Sequence, residues 1–560
     1  MNLECAGKAE RRRRFGLNEN GKRCRAALAT ALQMIQQSSS QFDLIIIGAG
    51  INGAGIARDA ARRGLKVLML DKGDVCSGTS SWSTRLIHGG LRYLEYGEFG
   101  LVRESLRERE TLLRIAPHLV RPLPLVVPIY KHSSRGPLTM RAGMLAYDVL
   151  SAGKSLPRHK MLSRSQALEQ LPGLNPDGLK GAAEYYDAQV EFAERLVVEN
   201  ALAAIRHGAS VITHARVDRF LFDGNAVRGV EFVNEIAGER HVASGSLVIN
   251  AAGPWVDRVL GKNANAPRLI GGTKGSHIIV APFPSAPLKA IYVEAQADRR
   301  PFFIIPWNSN YLIGTTDLRY DGDLDRIQIE QTEIEYLLRE TNLLLPEARL
   351  KPDDILYSYA GVRPLPYTDD KAERSITRRH FIQPHPRFGN LFSIVGGKLT
   401  TYRSLAEEAV DLVFEKLGRT SPDCVTATEP LVEINPALVS PNGFGNATLS
   451  SKTMERLKQI YGGRANEILK VAADDPSLGE VFDGETGAIA AEVVYSFRHE
   501  FAQTLADCLL RRTMVGLNSS LGVGADEAAA RIGQKHLGWS EDRGQGEVRS
   551  YREFIERFRV

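Results

Sequence analysis

The sequence is poor in cysteine and has no long apolar run. Its 560 residues include five cysteines, an odd number at wide spacing: Cys5, Cys24, Cys76, Cys424 and Cys508. No CxxC pair and no Cys/His cluster with ligand spacing is present, so we expect no metal site. The cysteines are expected to be reduced thiols in a reducing compartment. Because no run of about 18 apolar residues occurs, no transmembrane helix is expected.

The chain also lacks a strong charge of either sign. Its formal net charge is +5 and its pI is near 8.8, with 43% hydrophobic and 24% charged residues. This composition is typical of soluble globular proteins. A positive excess this small is compatible with an anionic substrate or a negatively charged surface, and it does not indicate a nucleic-acid partner. The length predicts roughly two to four domains.

The first forty residues differ from the rest of the chain. They contain the basic runs Arg11–Arg14 and Lys22–Arg25 and lack the apolar stretch of a secretory signal. We expect residues 1–40 to form a basic, mobile tail without chemistry. A presequence and an upstream start codon, with Met34 as the alternative start, both remain open.

A strand, a helix and a second strand can be recognised next. Leu44–Ile47 is a continuous apolar run bounded by glycines, typical of a strand buried on both faces of a parallel sheet. An alanine-rich helix is predicted over about 53–63, with Gly64 as its stop. Leu65–Leu70 is the second strand, so about thirty residues form one βαβ unit.

The turn of this unit carries a dinucleotide motif. In Gly48-Ala49-Gly50-Ile51-Asn52-Gly53, the three glycines permit the tight turn, the approach of the pyrophosphate and close helix packing. The helix N-terminus offers free N–H groups to the phosphates. Asp71 ends the second strand, where its carboxylate can bind ribose hydroxyls. Asp71 argues against NADP and leaves NAD and FAD open.

The segment after this unit favours FAD. Gly78–Arg85 concentrates small hydroxyl residues and precedes the glycine-containing segment Leu86–Tyr93. Hydroxyls can donate to a second stretch of pyrophosphate and ribityl chain, and glycines admit an extended ligand closely. NAD enzymes have no need for such a segment here.

The remaining chain alternates between predicted strands and helices. Strands are expected between about 205 and 248 and again from Leu247 to Gly253, with a helix-rich stretch near 328–345. A helix from about Thr400 is closed by Gly418. Residues 419–450 have the Pro/Ser/Thr/Asn composition of a linker, and 451–560 is predicted to be a helical C-terminal domain.

Together these motifs closely resemble FAD-dependent, quinone-linked glycerol-3-phosphate dehydrogenases. The order and spacing hold from about residue 42 to 405. The further matching segments are Asn250–Trp255, Lys274–His277, Ile313–Asp317, Gly361–Leu365 and Gly396–Arg403, with Leu509–Thr513 in the C-terminal region. Two departures are Asp71, where the family often has Glu, and Arg85, where it often has Lys. Arg85 keeps the charge but changes its geometry.

The resemblance implies an α/β fold similar to that of D-amino-acid oxidase. An FAD-binding Rossmann-like domain would be formed by residues 42–118, 190–260 and 355–410. An inserted antiparallel β-sheet domain for the substrate would be formed by 119–189 and 261–354. The helical domain at 451–560 would follow the linker.

The resemblance also implies which residues hold the FAD. They belong to the glycine turn, the ribose anchor, the hydroxyl run, the strand end near 250 and the segment before the last core helix. The set is Gly48, Gly50, Ile51, Asn52, Gly53, Asp71, Thr79, Ser80, Ser81, Arg85, Leu86, His88, Gly89, Val217, Ala251, Gly253, Trp255, Lys398, Leu399 and Thr400.

The implied reaction is oxidation of sn-glycerol 3-phosphate to dihydroxyacetone phosphate, with hydride transfer to flavin N5. Arg92 and Arg363 are the expected phosphate ligands, since a planar guanidinium suits bidentate contact. Lys398 would serve the phosphate or the flavin, and Tyr93 would shape the pocket. His277 and His88 compete as the base, with His277 slightly favoured.

The electron acceptor implied by the resemblance is a membrane quinone. The basic, methionine-containing stretch Arg121–Lys154 is the candidate contact surface, and the expected location is cytoplasmic, peripherally attached to the inner face of the membrane. An oxygen-reducing oxidase and an inactive flavin-binding scaffold remain the alternatives. The sequence does not fix the oligomeric state, and a homodimer is one option.

Overall fold

The structure, a computed structural model, describes residues 41–261, 266–368, 377–432 and 449–560. The predicted tail at 1–40 and half of the predicted linker at 419–450, namely residues 433–448, lie outside these ranges.

Twenty strands and fourteen α-helices are described. The strands are β1 Phe42–Ile47, β2 Val67–Leu70, β3 Leu86–Ile87, β4 Val120–Tyr130, β5 Lys160–Ser163, β6 Leu179–Val190, β7 Ser210–Ile212, β8 Ala215–Asp223, β9 Ala226–Asn234, β10 Arg240–Asn250, β11 Thr273–Val280, β12 Ala290–Glu294, β13 Pro301–Trp307, β14 Asn310–Gly314, β15 Leu318–Arg319, β16 Ile355–Arg363, β17 Phe381–Pro384, β18 Leu391–Val395, β19 Val481–Asp483 and β20 Ala488–Ile489. The helices are α1 Ile51–Arg62, α2 Phe99–Ile115, α3 Pro137–Leu150, α4 Arg164–Gln170, α5 Ala193–Arg206, α6 Val256–Leu260, α7 Gln331–Leu344, α8 Tyr402–Leu417, α9 Ser451–Tyr461, α10 Ala465–Asp474, α11 Ala490–His499, α12 Leu505–Arg511, α13 Ala525–Leu537 and α14 Glu541–Ile555.

The first sheet has the order β17-β18-β10-β1-β2-β7, and the β8–β9 hairpin joins it at β10. Its central strands β18, β10, β1, β2 and β7 are parallel. Helices α5 and α8 pack against α1. Because the sheet is covered, Leu44–Ile46 of β1 and all of β2 are fully buried, which explains their continuous apolar sequences. The predicted βαβ unit is therefore the centre of this sheet.

The second sheet has the order β15-β11-β14-β13-β12-β4-β6-β3, with β16 beside β11 and β5 beside β6. Two of its strands had been assigned by sequence to the cofactor domain. Ile355–Arg363 (β16) pairs antiparallel with β11 along almost its whole length, from Thr273 opposite Arg363 onwards. Leu86–Ile87 (β3) pairs with β6. Backbone pairing thus places residues 355–363 and 86–87 in the second sheet, and the division of the chain into a cofactor domain and a substrate domain stays a prediction.

The C-terminal region is helical from α9 to α14, apart from the β19–β20 hairpin. Its apolar residues share one core with the second sheet, where Tyr357 and Tyr359 of β16 lie in the same cluster as Leu509 and Tyr551. Within the described ranges, no helix has both the length and the apolar character needed to cross a membrane.

Candidate active site

A cavity of about 830 Å³ is lined by both sheets and by the end of the C-terminal region. It brings together most of the residues selected by sequence: Gly48, Gly50, Ile51, Asn52, Asp71, Thr79, Ser80, Arg85, Leu86, His88, Arg92, Tyr93, Val217, Ala251, Gly253, Trp255, His277, Arg363, Lys398, Leu399 and Thr400. Gly53, Ser81 and Gly89 do not line it.

The glycine turn is packed too tightly for side chains. Gly48 has a φ of +107°, and a Cβ there would lie 2.6 Å from the carbonyl oxygen of Ala251. A Cβ on Gly53 would lie 1.9 Å from the carbonyl oxygen of Gly48, so Gly53 acts through helix packing and not through cavity contact. The turn thus leaves the start of α1 open towards the cavity, where backbone N–H groups can meet phosphate.

Asp71 fixes the same turn from the end of β2. Its Oδ2 accepts the Ala49 N–H at 2.6 Å, and its Oδ1 accepts the Gly73 N–H at 2.8 Å. Burial raises the pKa of Asp71, and these two N–H groups oppose that rise. A carboxylate has about four acceptor positions. Asp71 therefore retains acceptors for ribose hydroxyls at the cavity wall.

The hydroxyl groups of Thr79, Ser80 and Ser81 have different roles. The Ser80 Oγ accepts the Ile51 N–H at 3.0 Å, at the first residue of α1. The Thr79 hydroxyl donates to the Val362 carbonyl at 2.7 Å, which joins this loop to β16. Ser81 is buried, and its hydroxyl donates to the Cys76 carbonyl at 2.5 Å. The Ser81 hydroxyl therefore points into the loop, and the cofactor contact predicted for Ser81 stays a prediction.

Arg85 is committed to an internal ion pair. Its Nη1 and Nη2 donate to the two carboxylate oxygens of Glu194 at 2.7 and 2.8 Å, and its guanidinium lies 4.5 Å from the Trp307 ring centre. Arg85, Glu194 and Trp307 are all buried. The ion pair holds Arg85 at the cavity edge, and the cofactor contact predicted for this residue stays a prediction.

Gly89 provides space for a buried hydroxyl. A Cβ at Gly89 would lie 2.4 Å from the Tyr147 hydroxyl oxygen, which accepts the Gly89 N–H at 3.0 Å. That hydroxyl donates to Asp187 at 2.8 Å. Gly89 does not line the cavity and gives room to a buried support of the site, and the cofactor contact predicted for it stays a prediction.

Several cations converge on the other part of the cavity. Arg363 donates from Nη1 to Asp317 Oδ1 at 3.0 Å, and Arg378 donates from Nη2 to Asp317 Oδ2 at 3.1 Å. The Lys398 Nζ lies 3.9 Å from the Tyr93 ring centre. Burial raises the pKa of Asp317, but Arg363 and Arg378 outweigh it and the net pKa is lowered. The positive charges exceed the single carboxylate, so this region favours an anion.

Burial makes two of these cations costly in the absence of an anion. The pKa of Lys398 is lowered chiefly by burial, with Tyr93 opposing that effect. The pKa of Arg363 is also lowered chiefly by burial, although Asp317 opposes it. A ligand with negative charge would relieve both penalties. Gly275 makes room for this arrangement, because a Cβ there would lie 2.3 Å from Nη2 of Arg363.

His277 projects from β11 and is held on one side. Its Nε2 lies 2.9 Å from the Thr84 hydroxyl, and its ring centre is 4.9 Å from that of Tyr359. Its Nδ1 is buried and has no hydrogen-bond partner among the described residues. Burial lowers the pKa of His277 well below 6.5, and Arg363 adds to this effect.

His88 is anchored through its backbone, with its ring at the cavity. Its N–H donates to the Thr400 hydroxyl at 3.1 Å, ahead of α8. Burial, followed by Lys398 and Arg92, lowers the pKa of His88 to about 3. Both histidines are therefore neutral near physiological pH, the state that a proton acceptor needs.

The structure adds residues that sequence reasoning did not select. Arg378 and Asp317 join Arg363 in one ion-pair group, and Arg300 donates to the Asp317 carbonyl at 2.7 Å. Asp317 stood in a quoted motif, which was a usable signal. Nothing marked Arg300 or Arg378. Phe554, Arg557 and Phe558 also line the cavity, about 500 residues after the glycine turn.

These features fit FAD. The side-chain-free turn at Gly48, the acceptor at Asp71 and the elongated lining across both sheets suit a dinucleotide that reaches from the first sheet to the second. The family described as "FAD dependent oxidoreductase" matches residues 43–425, and the "C-terminal domain of alpha-glycerophosphate oxidase" matches residues 393–544. The protein is thus an FAD-dependent oxidoreductase, and FAD is its cofactor.

Comparison with individual proteins shows to which family of FAD-dependent oxidoreductases the chain belongs. A glycerol-3-phosphate dehydrogenase of Synechocystis sp. is 47% identical over 92% of this chain and 97% of its own length. An aerobic glycerol-3-phosphate dehydrogenase of Staphylococcus haemolyticus is 34% identical over 85% of this chain and 87% of its own. The chain belongs to the family of FAD-dependent glycerol-3-phosphate dehydrogenases, which confirms the resemblance seen in its motifs.

A solved structure confirms the fold. The glycerol-3-phosphate dehydrogenase of Bacillus halodurans, complexed with FAD, aligns with a TM-score of 0.76 at 28% identity, covering 95% of this chain and 98% of its own. The predicted α/β fold, similar to that of D-amino-acid oxidase and followed by a helical C-terminal region, is therefore correct.

Proposed function

We propose that the protein oxidises sn-glycerol 3-phosphate to dihydroxyacetone phosphate and passes the electrons to a membrane quinone. The observation that carries the substrate assignment is the group of Arg92, Arg363, Arg378 and Lys398 around one part of a cavity that also contains a neutral histidine. A phosphorylated alcohol needs cations for its phosphate and a base for its hydroxyl. The names of the relatives support the same substrate.

The cations divide the binding task. Arg363 and Arg378 are held in position by Asp317, so their remaining N–H groups are oriented before the substrate arrives. Arg92 and Lys398 have no ion-pair partner among the described residues, and the Lys398 Nζ contacts the Ser105 hydroxyl and the Tyr93 ring. We assign Arg92, Lys398 and the free donors of Arg363 and Arg378 to the phosphate, and Tyr93 to the pocket wall beside Lys398.

The base is better placed at His88 than at His277. The His277 Nε2 is already paired with Thr84, and its Nδ1 is buried without a partner among the described residues. No hydrogen bond to the His88 ring is present among the described residues, and this ring lines the cavity. We assign the acceptance of the hydroxyl proton to His88 and the alignment of the pocket to His277. FAD, when bound, supplies N5 as the acceptor of hydride from the carbon.

The quinone assignment rests on a surface next to the site. Helix α3 buries Met140, Met144 and Tyr147 on one face. Apolar side chains are exposed elsewhere on this helix at intervals of seven and four residues, with Leu138 84%, Leu145 53% and Val149 74% exposed. A helix that is apolar on its outer face and lies near basic residues is suited to the surface of an anionic bilayer.

The helix lies close to an opening of the active site. Ser134 and Arg135, just before α3, line a second cavity of about 340 Å³. This cavity shares Arg92, Arg300 and Pro301 with the larger one. A membrane-bound acceptor would thus approach near the substrate cations. This supports peripheral attachment of the protein through the predicted stretch Arg121–Lys154.

The test of the reaction is anaerobic reduction. Glycerol 3-phosphate added to the FAD-loaded protein without oxygen should bleach the flavin absorbance, and glycerol alone should not. Absence of bleaching would overturn the substrate assignment and favour the inactive scaffold. Re-oxidation of the reduced flavin then distinguishes a quinone from oxygen as the electron acceptor. Rapid recovery with a soluble quinone and slow recovery with oxygen supports the dehydrogenase, whereas fast peroxide formation identifies an oxidase.

A further inference from the structure

The C-terminal helical region binds the loop that carries the cofactor contacts. We call residues 71–85 the cofactor loop, because they include Asp71, Thr79 and Ser80. Asp74 in this loop is buried and accepts from Arg511 Nε at 2.6 Å. It also accepts from Arg512 Nη1 and Nη2, both at 2.8 Å. Two arginines of the helical region thus enclose one carboxylate of the loop.

A second contact holds the other end of the cofactor loop. The Trp82 ring lies 4.9 Å, centre to centre, from that of Phe558, near the chain's C-terminus. The Phe558 carbonyl in turn accepts the Ser358 hydroxyl of β16 at 3.3 Å. The helical region therefore contacts the loop on both sides of Thr79 and Ser80.

The neighbouring turn at the same end of the cavity is held as well. His214, between β7 and β8, donates its N–H to the Gly73 carbonyl at 2.7 Å, and its Nε2 lies 3.0 Å from Asp507. The Asp507 Oδ1 also accepts from Arg511 Nη2 at 2.7 Å. One group of C-terminal side chains thus fixes two segments that line the cavity beside Asp71.

These contacts are coupled to the cofactor cradle through short bonds. Gly73, adjacent to Asp74, donates to Asp71, whose other oxygen holds the Ala49 N–H of the glycine turn. The Cys76 N–H donates to the Ala49 carbonyl at 3.0 Å. A displacement of Asp74 would consequently move the ribose anchor and the turn together.

We propose that the C-terminal helical region acts as a clasp that retains FAD, with Arg511 and Arg512 as its positioning residues. Neither arginine lines the cavity, so both act through Asp74 and the cofactor loop. Loss of this ion pair leaves Asp74 buried without partners, and the loop must open to hydrate it. FAD then leaves faster, although every group that touches it is unchanged.

The test measures FAD release in the full-length holoenzyme without substrate. The double variant Arg511→Gln/Arg512→Gln should release FAD at least about tenfold faster, followed as the rise of free-flavin fluorescence after dilution. Hydrogen exchange of residues 71–85 should increase in the same variant. Because the readout needs no turnover, its result does not depend on the substrate or the electron acceptor.

A matched control separates the clasp from general destabilisation. Arg552→Gln removes an arginine that binds the buried Asp526 within the helical region, with its Nε at 2.7 Å, and touches no part of the loop. Its release rate should equal that of the wild type. The proposal is overturned if the double variant and Arg552→Gln release FAD at the same rate, or if the double variant releases FAD no faster than the wild type. Should the double variant not fold, Asp74→Asn tests the same ion pair from the loop side, and wild-type release would then refute the clasp.

Discussion

The Lys398 Nζ lies 3.9 Å above the centre of the Tyr93 ring, within hydrogen-bond distance of Ser105 at 3.2 Å. This lysine therefore approaches the cavity without a carboxylate partner among the described residues. The pKa of Tyr93 is lowered, because Lys398 and the neighbouring arginines outweigh the opposite effect of burial. The two side chains form a cationic wall whose charge is available to a ligand.

Lys398→Met should weaken substrate binding. Loss of one charge-assisted contact to phosphate corresponds to about a 10- to 100-fold rise in KM for glycerol 3-phosphate. FAD should remain bound, since the glycine turn and Asp71 are untouched. Steady-state kinetics with an artificial acceptor, together with the flavin-to-protein absorbance ratio, check both outcomes. The exposed Lys416→Met is the control, and an unchanged KM for Lys398→Met would remove this lysine from the phosphate site.

Substitution of the two histidines should have unequal effects. His88→Gln removes the proposed proton acceptor and should lower kcat by about 10²- to 10⁴-fold. His277→Gln keeps a hydrogen-bonding group beside Thr84 and should cause a smaller loss. Stopped-flow reduction of the flavin measures the chemical step directly. A larger loss in His277→Gln than in His88→Gln would reverse the assignment and restore His277 as the base.

His88 should also make the protein less stable in acid. The pKa of His88 is lowered from 6.5 to about 3 in the folded state, so the unfolded chain binds a proton that the folded chain does not. Stability contributed by the neutral form is therefore present above the unfolded value of 6.5 and is lost as pH falls from there towards 3.

Thermal unfolding of the holoenzyme at several pH values tests this predicted loss of stability in acid. On acidification from neutral pH, Tm should decrease more in the wild type than in His88→Gln, because glutamine binds no proton. The difference between the two proteins isolates this residue from the other titrating groups. Equal pH dependence in both would show that His88 is protonated as easily in the folded state as in the unfolded one.

Helix α3 should determine membrane attachment. Leu145→Glu/Val149→Glu places two negative charges on its exposed apolar face and should abolish sedimentation with vesicles that contain anionic lipid. Activity with a soluble dye should remain, because neither residue lines the cavity. Leu288→Glu is the matched control, since Leu288 is 90% exposed and lies outside α3. Undiminished vesicle binding of the α3 variant would exclude this face as the contact surface.

Local patterns in the sequence were enough to predict that the glycine turn and Asp71 lie together. The glycine turn and Asp71 lie within one βαβ unit, where chain distance and spatial distance agree. The roles of Ser81, Arg85 and Gly89 could not be predicted in this way. Each is decided by which neighbour is buried beside it, such as Glu194 for Arg85, and that neighbour comes from a distant segment.

The cationic group was only partly predictable for the same reason. Arg363 stands in a motif, whereas Arg378 meets Asp317 only after β11, β15 and β16 have formed one sheet edge. The strand partners were not predictable either. Apolar strand residues alone do not specify the partner strand, so the pairing of β16 with β11 could not be read from the sequence.

The bond between the Thr79 hydroxyl and the Val362 carbonyl joins the cofactor loop to the residue that precedes Arg363. The contact of the cofactor loop at Val362 and the residue that carries the guanidinium, Arg363, are thus neighbours in β16. A shift of β16 would therefore carry Thr79 and Arg363 with it. Thr79 and Arg363 thus move as one unit, although they are about 280 residues apart in the chain.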